Sequence, residues 1–162
     1  MSAALQPRRA LPGTVLAFDY GRRRIGVAVG QAPGLLLTGR ASPLATVPVG
    51  PAGPDWAAIQ ALARQWRPEA LVVGLPGGEG RAHPLAAEVR GFARGLRRRL
   101  GLPVHLVEET LSSWEAARRL QGRPGAGGRR PWSRAAKARL DREAACLILE
   151  TWLAEARGEE GR

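Results

Sequence analysis

Val15-Leu16-Ala17-Phe18-Asp19-Tyr20-Gly21, running on into Arg22-Arg23-Arg24-Ile25-Gly26-Val27-Ala28-Val29-Gly30, decides how the rest of the chain is read. Val15 to Phe18 is an apolar run of strand length that ends on a carboxylate, and the chain must turn at Gly21. Ile25 to Gly30 can return antiparallel, so the stretch reads as a hairpin with an arginine-rich turn. An ionised Asp inside a strand would cost several kcal/mol to bury alone. Asp19 must therefore sit at a sheet rim, find hydrogen-bond donors, or hold a cation. Asp-x-Gly is also ordinary turn chemistry, and this stretch by itself leaves both readings open.

Outward from the hairpin, the Pro33-Gly34 turn signal predicts a third strand at Leu35 to Thr38, with residues 41 to 54 a Pro- and Gly-rich loop. Asp55 caps a predicted helix whose apolar positions Trp56, Ile59, Leu62 and Trp66 recur at steps of three and four, and Pro68 stops it. Ala70 to Leu75 is apolar without alternation, as in a strand covered on both faces. A glycine loop, 76 to 80, leads to a second helix begun by Pro84 and ended by Gly101, with Arg90, Arg94, Arg97 and Arg98 on its outer face. Val104 to Val107 forms the fifth strand and runs into Glu108-Glu109. Ser112 and Glu115 have capping-box spacing for a short helix, and Ser133 opens the last helix, expected to reach about Ala156. A meander followed by alternating helix and strand predicts an α/β fold: a mixed five-stranded sheet flanked by helices. The domain spans 14–156, with a flexible arm over 1–13, a tail over 157–162, and a mobile basic loop over 122–131.

Charge narrows the function. The 162 residues carry 25 Lys plus Arg against 14 Asp plus Glu, a net charge of +11, and all but one of the basic residues are Arg. Guanidinium groups fork onto phosphates, so an excess of this kind points to nucleic acid as partner. With no ~20-residue apolar span and no signal segment, the expected compartment is the cytoplasm and no membrane partner is expected. The single Cys146 lies in an apolar run and reads as a buried, inert thiol. His83 and His105 lack a metal-ligand partner at short spacing and read as core or capping residues.

Acids then recur at element ends. On the last helix Asp141 aligns with Ala138, Ala145, Ile148 and Trp152, the stripe that faces the sheet, where an acid is anomalous without a task. Asp19, the Glu108-Glu109 pair and Asp141 would repel one another without a cation. Hard oxygen ligands select Mg²⁺ or Mn²⁺, and such ions can clamp both oxygens of a phosphodiester displacement. Alternation along 104–109 places Glu108 and Glu109 on opposite faces, so at most one of them points at Asp19.

Phe18-Asp19-Tyr20-Gly21 with Ile25 to Gly30, Val73-Gly74-Leu75-Pro76, Glu108-Glu109-Thr110-Leu111-Ser112 and Lys137-Ala138-Arg139-Leu140-Asp141 together resemble the YqgF family over roughly residues 14 to 155. These are the pre-16S rRNA nucleases, also called Holliday junction resolvases, of the ribonuclease H-like superfold. The resemblance implies that fold, a metal-dependent nuclease acting on precursor rRNA or structured DNA, and an association with ribosome biogenesis. It implies a catalytic set of Asp19, Glu109, Asp141 and Glu108, with Asp19, Glu109 and Asp141 on the metal. The family reads Asp-Glu-Arg-Leu-Ser at 108–112, so this chain keeps the second acid and lengthens the first, which favours Glu109 as ligand. Arg22, Arg23, Arg24, Lys137, Arg139, Arg129 and Arg130 are the expected nucleic-acid contacts. Two other classes share some of these features. The Asp19 hairpin is similar to the phosphate-binding hairpin of actin-like ATPases, which need a second domain, and an RNA-binding module without catalysis would share the charge.

Overall fold

The computed structural model describes residues 13–32, 34–77, 83–109 and 133–160. The expected arm, apart from Gly13, the capping-box helix at Ser112, and the basic loop 122–131 with Arg129 and Arg130 lie outside the described residues. Strands β1 (Thr14–Tyr20), β2 (Arg24–Gln31), β3 (Ser42–Gly50), β4 (Gly53–Pro54), β5 (Ala70–Pro76) and β6 (Val104–Glu109) form, among the described residues, one sheet in the order β4-β3-β2-β1-β5-β6. The β1–β2–β3 meander is antiparallel, whereas β1, β5 and β6 run parallel. Four helices accompany them among the described residues: α1 (Gly34–Thr38), α2 (Trp56–Trp66), α3 (Ala86–Leu100) and α4 (Arg134–Glu160).

Alternation along β1 sorts the two cores. Leu16 and Phe18 face α2 and α3 with Ile25, Val27, Leu71, Val73, Phe92 and Leu96. Val15 and Ala17 face α4 with Ala28, Val72, Val107, Ala145, Ile148 and Leu149. Each fully buried large side chain contributes about 1.5–3 kcal/mol, so both faces must be covered and the helices divide between them. Phe92 joins α3 to the end of β1: its ring lies 5.8 Å from Phe18, 5.1 Å from Tyr20 and 5.5 Å from Trp56. The caps are local. Asp55 accepts the Ala58 N–H at 3.1 Å at the start of α2, and Ser133 Oγ accepts the Ala136 N–H at 3.1 Å at the start of α4.

The third strand of the meander is not Leu35 to Thr38. Those residues form α1, in which Thr38 Oγ1 donates to the Gly34 carbonyl at 2.9 Å and Leu35 is buried over Gly30. A short apolar run carries no periodicity that separates a strand from a helical turn. The strand is β3, inside the expected loop, and β4 is a sixth strand that the five-strand reading omits. Pro43 and Pro48 argue against a central strand. They are tolerated because β3 pairs fully only with β2, while its outer edge meets just the two residues of β4.

Candidate active site

Because β1, β5 and β6 are parallel, their carboxyl ends reach the same edge of the sheet, where open α/β sheets place their sites. Asp19 is the penultimate residue of β1, Pro76 ends β5 and Glu109 ends β6. Asp19 shares strand parity with Val15 and Ala17, and Glu109 with Val107, so both side chains belong to the α4 face. Glu108 has the opposite parity and is exposed.

Glycines flank Asp19 on both neighbouring strands. Gly26 is its cross-strand partner on β2, and a Cβ there would fall on the Asp141 carbonyl group and 2.8 Å from the Arg142 nitrogen. The backbone of α4 therefore rests directly on Gly26, which brings Asp141 to the Asp19 edge. On the other side, Val73 pairs with Phe18, so Gly74 adjoins Asp19, and a Cβ on Gly74 would lie 3.6 Å from Glu109 Cδ. The space left by that missing side chain is taken by Ile148 of α4, whose Cδ1 and Cγ1 lie 2.5 and 2.9 Å from the position of such a Cβ, with the Glu109 carboxyl beside it.

A cavity of about 60 Å³ is lined by Asp19, Tyr20, Gly74, Pro76, His83, Leu85 and Glu109. Beside it a cleft of about 510 Å³ is lined by Gly21, Arg22, Arg23, Arg24, His83, Pro84, Leu85 and Asp141. His83 and Leu85 wall both. Asp141 is buried, and its Oδ2 accepts from Arg24 Nε at 2.5 Å. Arg22 pairs with Glu88 at 3.2 Å. Burial first, and then the charge and hydrogen bond of Glu88, raise the Tyr20 pKa above its ordinary 10.0, with Arg22 opposing. Tyr20 therefore stays a neutral hydroxyl at the cavity wall.

The structure thus brings Asp19 and Glu109 to one cavity and Asp141, with Arg22 to Arg24, to the adjoining cleft. Among the described residues no three His, Cys, Asp or Glu side chains are grouped to hold a metal ion. The donor chemistry of the cavity, carboxylate oxygens from Asp19 and Glu109, suits a hard divalent cation. Lys137 and Arg139 lie on the first two turns of α4 and do not line either space. Thr46 Oγ1 accepts from Arg142 Nη1 at 2.9 Å and ties β3 to α4 one residue beyond Asp141.

His83 belongs to the site in a way that its spacing did not announce. Its Nδ1 accepts the Leu85 N–H at 3.1 Å ahead of α3, a capping role, and the ring also divides the two spaces. A position just before the helix that follows a central parallel strand was the available signal. His105 packs on Trp152 with ring centroids 5.5 Å apart, and Cys146 is buried.

Comparison with known proteins agrees with this geometry. Residues 13–155 match the family model described as "RuvX: Holliday junction resolvase". An Azotobacter vinelandii protein named "Putative pre-16S rRNA nuclease" is 43% identical over 147 residues, which cover 89% of this chain and 95% of the relative. Relatives of the same name from Legionella pneumophila (strain Paris) and Xanthomonas axonopodis pv. citri are 45% and 48% identical, covering 87% and 88% of this chain and 95% and 88% of theirs. The structure titled "T. thermophilus RuvC in complex with Holliday junction substrate" aligns with TM-score 0.53 at 23% identity, covering 89% of this chain and 95% of that one, and shares the ribonuclease H-like fold. With its sheet order, its strand-end acids and a match over nearly its whole length, the chain belongs to the RuvX family, the YqgF group of nucleases.

Proposed function

We propose that the protein is a divalent-metal-dependent nuclease that hydrolyses phosphodiester bonds in structured nucleic acid, with precursor 16S rRNA as its substrate during cytoplasmic ribosome maturation. The observation that carries this reading is the cavity shared by Asp19 and Glu109 beside a cleft walled by Arg22, Arg23 and Arg24. Support for the substrate comes from the names of the relatives.

Asp19, Glu109 and Asp141 are the residues that would hold Mg²⁺ or Mn²⁺, and such an ion supplies a more acidic water and charge stabilisation at the phosphate. The other residues bind and orient. Arg22 and Arg23 are exposed in the β1–β2 turn and can fork onto non-bridging phosphate oxygens. Arg24 holds the buried Asp141 carboxylate fixed in direction. With Nδ1 accepting from Leu85, the His83 ring presents Nε2–H as a hydrogen-bond donor at the boundary of the two spaces. Water adds to phosphorus as the P–O ester bond breaks, leaving one phosphate end and one hydroxyl end.

The test is cleavage of a precursor 16S rRNA fragment and of a four-way DNA junction, with Mg²⁺, with Mn²⁺ and with chelator. Chelation should abolish cleavage. Asp19→Asn keeps the shape but removes the charge, and should slow cleavage by at least about a hundredfold. Parental rates for Asp19→Asn would remove Asp19 from the site, and preferential cutting of the junction would replace rRNA by DNA as substrate.

A further inference from the structure

At the opposite end of the sheet lies a second basic space that the cleavage site does not use. A groove of about 430 Å³ is lined by Arg64, Arg67 and Arg99 with Gln60, Pro68 and Leu102, and none of its lining residues is acidic. Arg67 and Pro68 lead into β5, and Leu102 leads into β6, whereas Pro76 and Glu109 at the far ends of those strands line the Asp19 cavity. A strand of this length separates the two spaces by about 20 Å.

Arginines at helix C-termini often do no more than offset the helix dipole, and that explanation is insufficient here. Arg64 lies in the last turn of α2 and Arg99 in the last turn of α3. Two helix ends supply about one negative charge between them, against three guanidinium groups. Glu69, the acid nearest in sequence, turns instead toward the start of β1, where its Oε1 lies 3.3 Å from the position of a Cβ on Gly13. The ion pairs Arg22–Glu88 and Arg24–Asp141 both lie at the other end of the molecule. Arg99 is also ordered in advance, with its guanidinium 4.3 Å above the Trp56 ring.

α3 connects the two ends. It begins beside Leu85 of the cleavage cavity and finishes at Leu100 of the basic groove, about 22 Å at 1.5 Å per residue. Arg90, Arg94, Arg97 and Arg98 are exposed along it. We propose that the groove of Arg64, Arg67 and Arg99 is a second phosphodiester-backbone site, which holds a duplex arm of the substrate about eight base pairs from the cut. At about 2.8 Å of axis per base pair in an A-form RNA arm, about 22 Å corresponds to that spacing. The preferred substrate is therefore one with an extended helical arm, and a short single strand reaches only the cleavage end. This deepens the nuclease reading and rests on it.

The experiment measures binding in chelator, where nothing is cut, across a salt series. The probes are an RNA with a 15-base-pair arm beside the cleavage point and the same RNA with the arm cut to 3. The triple variant Arg64→Gln, Arg67→Gln, Arg99→Gln should flatten the log-affinity against log-salt slope on the long arm by about 0.9 for each lost contact. It should leave the short arm's slope, and its cleavage rate with metal, as in the parent. Arg67→Gly guards against a folding artefact. Arg67 has a left-handed φ of 47°, which glycine adopts without strain, so this variant folds at least as well and should flatten the slope by about 0.9. An unchanged long-arm slope in both variants, or equal flattening on the two probes, overturns the proposal. Because the slope is read without catalysis, absence of cleavage by the parent overturns the nuclease reading alone.

Discussion

Gly26→Ala tests whether the resting of α4 on the sheet builds the acidic site. A strand-interior Gly→Ala change ordinarily gains about 0.5–1 kcal/mol through the unfolded state. Here the new methyl falls on the Asp141 carbonyl and 2.8 Å from the Arg142 nitrogen. Those are helix backbone atoms, which cannot rotate aside, so α4 must lift or the strand must bend. Overpacking of this kind costs up to about 3 kcal/mol, which outweighs the gain. The net loss is then about 2–2.5 kcal/mol, and at about 2–4 °C per kcal/mol for a chain of this size the melting temperature should fall by about 4–10 °C. Cleavage should fall with it, because the lift moves Asp141 relative to Asp19. Gly74→Ala is the control: its methyl meets Ile148 Cδ1 at 2.5 Å and Cγ1 at 2.9 Å, side-chain rather than backbone atoms, and Glu109 Cδ at 3.6 Å, an ordinary contact. Its cost should be about 1 kcal/mol. The assay is thermal denaturation of both variants followed by single-turnover cleavage. A melting temperature for Gly26→Ala within about 2 °C of the parent, or a larger loss for Gly74→Ala, would refute the reasoning.

Glu109→Gln should weaken Mn²⁺ binding and cleavage far more than Glu108→Gln, since only Glu109 lines the cavity with Asp19; titration and rate measured together would reverse the assignment if Glu108→Gln lost more. His83→Asn keeps an acceptor for the Leu85 N–H and removes the Nε2 donor, so it should slow cleavage by about tenfold at unchanged melting temperature. His83→Ala should also lose about 1 kcal/mol of stability, and equal rates for parent and His83→Asn would exclude the donor role. Burial first, then Glu150 and Glu143, push the Cys146 thiol from 9.0 up to about 11. The folded state then keeps a proton that the unfolded state sheds above pH 9, so this stabilisation is complete below pH 9 and is lost toward pH 11. Cys146→Ala should flatten that alkaline loss in pH-dependent denaturation, and native thiol labelling at neutral pH should be slow.

What the sequence made legible followed from strong local physics. The apolar run closed by Asp19 and the Gly21 turn reads as a strand with an acid at its end, and the step-three-and-four pattern from Trp56 to Trp66 reads as a helix. Alternation along 104–109 separates Glu108 from Glu109 whatever packs on them. The third strand was not legible, because Pro43 and Pro48 weaken β3 by every local rule and only its nearly unpaired outer edge, a property of the whole sheet, makes them harmless. Gly26 and Gly74 looked like unremarkable strand glycines. Their reason lies in α4, at Asp141 and Ile148, 115 and 74 residues away by number. The same limit applies to charge. An acid on the apolar stripe of α4 announces that some cation must answer it, but not which one, and the nearest basic residues in sequence, Arg139 and Arg142, are not the answer. The answer is Arg24, 117 positions earlier, brought there because Gly26 lets α4 settle on β2. Local pattern therefore locates the charges that need a partner, and the close approach of backbones chooses the partner.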